Sequence, residues 1–136
     1  MANTITTTVL LDGPRRATVQ IDIVGDASGD EASTEVLDIS AALAMGDRTE
    51  VKIDRIQAHL DNFGAILEWD ATANVIAWAL SAGGDSDMNF RSHGGIRNSS
   101  GAGKTGDIDL TTTDLGSEYG SIILHLVKVE GESVLR

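Results

Sequence analysis

Cysteine is missing from this 136-residue chain, and proline occurs once. Without thiols there is no disulfide framework, no thiolate zinc site and no cysteine nucleophile. The lone Pro14 leaves no room for a proline-rich linker. The length suits one compact domain, typically roughly 100–150 residues. Aromatic residues are scarce: two Trp, two Phe and one Tyr against an apolar fraction of 41%. A core with so few rings is built from Val, Ile, Leu and Ala, which favours thin layered packing over large pockets. Positive charge is short as well, with 10 Lys and Arg against 21 Asp and Glu and a formal net charge of −11. Such a field repels phosphate backbones, which sets nucleic acid aside as a partner. No apolar run approaches the roughly 18 residues of a bilayer span. "MANTITTTVLL" has no basic region ahead of an apolar run, so it does not read as a secretory signal. The expectation is a soluble chain made in the cytoplasm, with no membrane partner.

What the chain does have is alternation with a period of two residues. Ile5, Thr7, Val9 and Leu11 fall on one face of a first strand, and "DGP" at 12–14 breaks it. Val19, Ile21 and Ile23 alternate with Gln20 and Asp22, and an acidic loop "GDASGDEAS" follows. A strand near Glu35–Ile39 precedes the one helical stretch, "ISAALAMGDR", which Asp38 or Ser40 can cap and Gly46 can end after two turns at most. In "EVKIDRIQAHL" the apolar parity changes between Val51/Ile53 and Ile56/Ala58/Leu60, which predicts a β-bulge near Asp54 or Arg55. "GAILEWD" and "NVIAWAL" read as a hairpin around "DATAN". A short strand near Met88–Arg91, then "DIDLTTT" and a long final strand "YGSIILHLVKVEG", complete the pattern. In that last strand Ile122, Leu124 and Leu126 oppose Ile123, Val127 and Val129, so both faces are apolar. About eight short strands with little helix imply an all-β, single antiparallel β-sandwich of jelly-roll type. Residues 1–16 read as an N-terminal strand or arm, a possible contact with a neighbour, and 17–136 as the sandwich body.

"NSSGAGKTGD" at 98–107 resembles the end of a P-loop, but Asn98 stands where its first glycine belongs. The motif also has to follow a buried strand and open a helix; here it follows "SHGGIR" and leads into the strand-like "DIDLTTT". It reads as a structural loop, with Lys104 exposed or at an interface. His59, His93 and His125 show no zinc spacing and no neighbouring nucleophile, so no catalytic residue and no cofactor is assigned. Calcium is the best-supported metal: Asp26 and Asp30 (with Glu31) and Asp85 and Asp87 (with Asn89) offer oxygen ligands on loops, without the EF-hand spacing. Trp69 and Trp78 sit within alternating strands, where core packing outweighs a sugar-stacking role. Arg15 and Arg16 make the densest basic spot, either a solvated turn or a dock for an acidic neighbour.

The phrases "LLDGPRRATVQIDIVGD", "VKIDRI", "LEWDAT", "FRSHGGIRNSSGAGKTGDIDLTT" and "SIILHLVKV" resemble small virion structural proteins of tailed bacteriophages. The resemblance runs from about Val9 to Val129. It implies a non-enzymatic capsid decoration (cement) protein on the outside of the head, bridging capsomers of the major capsid protein. It further implies self-association, as a homotrimer. A tail, neck or baseplate adaptor, and a carbohydrate- or ion-binding adhesion module, are the alternatives. On this reading the expected contact residues are Ile5, Val9, Leu11, Arg15, Arg16, Ile123 and Val127.

Overall fold

The computed structural model describes residues 3–80 and 85–129. Its strands are β1 (Thr4–Asp12), β2 (Arg16–Val24), β3 (Thr34–Leu37), β4 (Glu50–Leu60), β5 (Gly64–Trp69), β6 (Val75–Leu80), β7 (Asp85–Asn89), β8 (Ile108–Thr113) and β9 (Tyr119–Val129). They form two antiparallel sheets, one ordered β1-β2-β9-β4-β7 and the other β3-β8-β5-β6. The pairs β2–β9, β3–β8, β4–β7 and β5–β6 are the successive rungs of one long hairpin. Rolling that hairpin up distributes its pairs over two sheets, which is the jelly roll expected from the sequence. β1 is an extra strand laid on the outer edge of β2.

Alternation explains which side of each strand is covered. Val19, Ile21 and Ile23 of β2, Ile53 and Ile56 of β4, and Ile122, Leu124 and Leu126 of β9 point into the sandwich. Leu67 and Trp69 of β5 and Ile108 and Leu110 of β8 meet them from the other sheet, with Phe63 between. Burying each such side chain contributes about 1.5–3 kcal/mol, so β-branched and leucine side chains, not rings, hold the layers together. Trp69 is fully buried and Trp78 packs edge-on against Phe90 at a centroid distance of 4.8 Å.

The bulge expected in β4 is present: pairing with β9 shifts between Ile53 and Arg55. The extra residue keeps Val51 and Ile53 on the core side together with Ile56, Ala58 and Leu60. It also turns the Asp54 carboxylate into the rim of the fold. A second bulge corrects the reading of β1. Its register shifts between Val9 and Leu11, so Leu11 leaves the face of Ile5 and Val9 and pairs with Thr18, on the outside of the sheet. Residues 9–11 are all apolar, so parity alone carried no trace of the shift.

Asp38 caps the helix α1 (Ile39–Ala42), accepting from the Ala41 amide, and the helix makes a single turn. β7 lies three residues earlier than expected, and Arg91–His93 form a 3-10 turn instead. Cross-strand pairs from Asp85 and Asp87 to β4 fix the earlier position. The Asn89 side chain accepts from the Arg91 amide and ends the strand.

Candidate functional site

The most unusual surface is the free edge of β1. Over nine residues this strand pairs with β2, and among the described residues nothing pairs with its other side. Thr4, Thr6 and Thr8 stand on the outer face, while Thr7 faces inward and donates to the Val36 carbonyl. No charge interrupts it before Asp12. At its end Val9, Leu10 and Leu11 are 38%, 50% and 54% exposed. Long uncharged edges invite pairing with another chain, and soluble folds usually guard them with charge, brevity or a cover. Of the other edges, β7 carries Asp85 and Asp87 and β3 is four residues long, while β6 is uncharged but only six residues long, with Ile76 exposed.

The expected contact residues divide between several environments. Ile5 is half-buried against the core, and Val9 and Leu11 are exposed on opposite faces of β1. Arg15 is exposed in the β1–β2 turn. Arg16 donates to Asp54 at 2.9 Å, so it serves the fold as well as the surface. Val127 lies opposite Arg16 and is 9% exposed, while Ile123 is half-buried two strands in from the β1 edge. Val9, Leu11, Arg15 and Arg16 therefore gather at one end of the sheet, and Ile123 belongs to the middle of its outer face.

Two ion-pair hubs stabilise this end, and neither was anticipated. Lys128 is fully buried, and its Nζ donates to Asp12 Oδ1 at 2.5 Å, to the Gly13 carbonyl at 2.6 Å and to the Ala44 carbonyl at 2.7 Å. It ties the last strand to the β1–β2 turn and to the segment after α1. The hydrogen bond from Lys128 lowers the pKa of Asp12. Asp54 accepts from Arg16 and, at 2.8 Å, from Arg91. Burial opposes the charge on Asp54, but the two guanidinium hydrogen bonds outweigh it and hold the carboxyl below its ordinary range.

Most carboxylates of the acidic loops named as calcium candidates are engaged by the protein, although the buried Oδ2 of Asp26 has no hydrogen-bond partner among the described residues. Asp26 accepts from the Ser28 amide, and Asp30 from Thr112 Oγ1 and from the Asp114 and Leu115 amides. Glu31 accepts from Asn3 and Thr34. Asp87 forms a two-pronged pair with Arg55, at 2.8 and 2.7 Å, and Asp85 pairs with His59. The structure instead assembles carboxylates on the outer face of the four-stranded sheet. Glu35, Asp109 and Glu68 stand opposite one another on β3, β8 and β5. Ligand-type atoms of Glu35, Asp38 and Asp107 lie within 4.8 Å of one another. Burial, reinforced by a hydrogen bond with Asp70 and by the charges of Asp70 and Glu35, raises the pKa of Asp109 to about 6, although Asn74 donates to it at 2.9 Å. Burial and neighbouring acids raise Asp107 and Glu35 as well. The signal was present in the sequence as acids two residues apart, Glu68/Asp70 and Asp107/Asp109; only the pairing of β3, β8 and β5 shows that they converge.

The glycine-rich segment is a structural loop. Lys104 pairs with the buried Glu50 at 2.7 Å and is 22% exposed, so it is neither an exposed lysine nor a phosphate ligand. Asn98 is buried and binds the amide and hydroxyl of Ser100. Gly103 has φ +78° and passes directly over Thr72. Of the histidines, His125 contacts Gln57 at 2.8 Å and His59 contacts Asp85; the His93 side chain lies outside the described residues. Burial, with the charges of Arg55 and Arg91, lowers the pKa of His125.

No protein-family model and no curated protein matches the chain. Among the solved structures that resemble it are three at low identity. A cupin domain from Bordetella pertussis Tohama I has 9% identity and a TM-score of 0.40, over 94% of this chain and 96% of the other. Peruvianin-I, a cysteine peptidase from Thevetia peruviana latex, has 6% identity and a TM-score of 0.37, over 93% and 62%. A family 11 carbohydrate-binding module from Clostridium thermocellum, solved with a mixed-linked tetrasaccharide, has 10% identity and a TM-score of 0.36, over 96% and 85%. The jelly roll rests on the strand order of this chain and not on these likenesses.

Proposed function

We propose that this chain is a non-enzymatic structural protein of a phage virion, a capsid decoration subunit that binds the head through β1. The observation that carries the reading is the long edge of β1, uncharged until its last residue Asp12, with Val9, Leu10 and Leu11 exposed. A neighbour's strand or a capsomer surface placed there satisfies the free backbone groups and removes the three side chains from water. The sequence resemblance supplies the phage context. The rigid roll, clamped at this end by Lys128 and Asp54, keeps the edge in one geometry at every repeated site of a shell. On this reading Arg15 sits beside the edge and orients the subunit against the major capsid protein or another copy, and a homotrimer is the expected assembly.

The test is decoration of undecorated heads by the variant Leu10→Lys/Leu11→Lys. Both side chains are exposed, so the variant is expected to keep the wild-type thermal transition while head occupancy falls by at least about tenfold. Full occupancy by the folded variant would remove β1 as the contact.

A further inference from the structure

The outer face of the five-stranded sheet holds a groove of about 330 Å³ that the β1 contact does not use. It lies over two adjacent rungs. One runs Asp22, Ser121, His59, Asp85 across β2, β9, β4 and β7; the other runs Gln20, Ile123, Gln57, Asp87 across the same strands. Its volume falls within the range of small-ligand sites, about 300–1,000 Å³.

The chemistry of the lining selects among ligands. Arg55 neutralises Asp87 through two hydrogen bonds, and His59 is paired with Asp85. Arg55 thus balances Asp87, and Asp22, Asp85 and the net charge of −11 oppose an anion. What remains is hydrogen-bonding capacity of both kinds. Gln57 lines the groove and accepts from His125 through Oε1, a contact that does not engage its amide donors. Ser121 donates to Asp22, which leaves its oxygen lone pairs to accept. Asp85 and Asp87 retain acceptor positions beyond their ion pairs. Between these groups Ile123 gives an apolar floor. Tyr119 is 65% exposed on the same face, two residues and about 7 Å from Ser121 along β9.

We infer that this groove binds a neutral oligosaccharide. Sugar hydroxyls meet the alternating donors and acceptors, and a sugar's C–H face meets Ile123 and the Tyr119 ring. Trp69 and Trp78 pack as the alternation of their strands predicts, Trp69 buried and Trp78 edge-on to Phe90, so the exposed Tyr119 is the ring on this face. The inference stands apart from the decoration reading, because it concerns the isolated chain.

The experiment is NMR titration of the isotopically labelled full chain with cellohexaose, maltohexaose and chitohexaose, each to about 10 mM, a ceiling suited to millimolar affinity. The expected result is saturable shifts at the Gln57, Ser121 and Ile123 amides with at least one of the three. Tyr119→Ala, which removes an exposed ring, is expected to weaken that binding at least about fivefold while the rest of the spectrum is unchanged. No saturable shift with any of the three, shifts centred elsewhere, or binding indifferent to Tyr119→Ala would each overturn the assignment. Head decoration is measured independently, so either proposal fails without the other.

Discussion

Asp109→Asn is expected to stabilise this protein at neutral pH. Asp109 is 5% exposed, faces Glu35 and Glu68 across the sheet, and shares a hydrogen bond with Asp70. Its pKa is raised to about 6 in the fold from an ordinary value of 3.8. The unfolded chain therefore loses its proton first as pH rises. Folding stability falls between about pH 4 and pH 6 and stays lower above that range. A difference of about two units at about 1.4 kcal/mol each gives a ceiling near 3 kcal/mol. Part of that penalty belongs jointly to Asp70, so about 2 kcal/mol is the working figure. Asparagine reproduces the protonated acid: its oxygen still accepts from Asn74, and its amide donates toward Asp70. Urea unfolding at pH 4, 5, 6 and 7.5 reads the effect directly. The variant is expected to gain about 2 kcal/mol over wild type at pH 7.5 and to converge with it at pH 4. A variant less stable at pH 7.5, or one whose pH dependence parallels the wild type, would refute the picture of a strained carboxylate row.

Two further substitutions probe the frame. Lys128→Met removes the donor to the Gly13 and Ala44 carbonyls and to Asp12 Oδ1, leaving Asp12 only the Ala44 amide. It is expected to cost about 3 kcal/mol in urea unfolding, and a loss below about 1 kcal/mol would mean that the hub does not hold the β1–β2 turn. Gly103→Ala puts a Cβ 2.1 Å from Thr72 Oγ1 at a φ of +78°. It is expected to lose about 2 kcal/mol by thermal unfolding, whereas a neutral result would show that the loop simply shifts aside.

The layers of this fold were legible because alternation is a local signal. Val19, Ile21 and Ile23 announce their inward face, and the change of parity between Ile53 and Ile56 announces a bulge from the sequence alone. Where neighbours are all apolar, as at Val9–Leu11, the same reasoning is blind, and the second bulge went unseen. The long-range polar features were hidden for a different reason. Lys128 shares the parity of the inward Ile122, Leu124 and Leu126, but nothing local in the sequence shows that Asp12 and Ala44 come from distant segments to cradle it. The carboxylate row needs β3, β8 and β5 side by side, and the groove needs β9 between β2 and β4. Acidic runs drew attention as possible calcium loops, whereas their amides, hydroxyls and basic partners were out of sight in the sequence.

The central proposal, a subunit that coats a repeated shell, is tested most directly by its copy number in purified particles. Quantitative gel densitometry scaled to the major capsid band is expected to give on the order of hundreds of copies per virion, as a lattice of equivalent sites requires. About a dozen copies or fewer, the number a tail or neck ring accommodates, would contradict it.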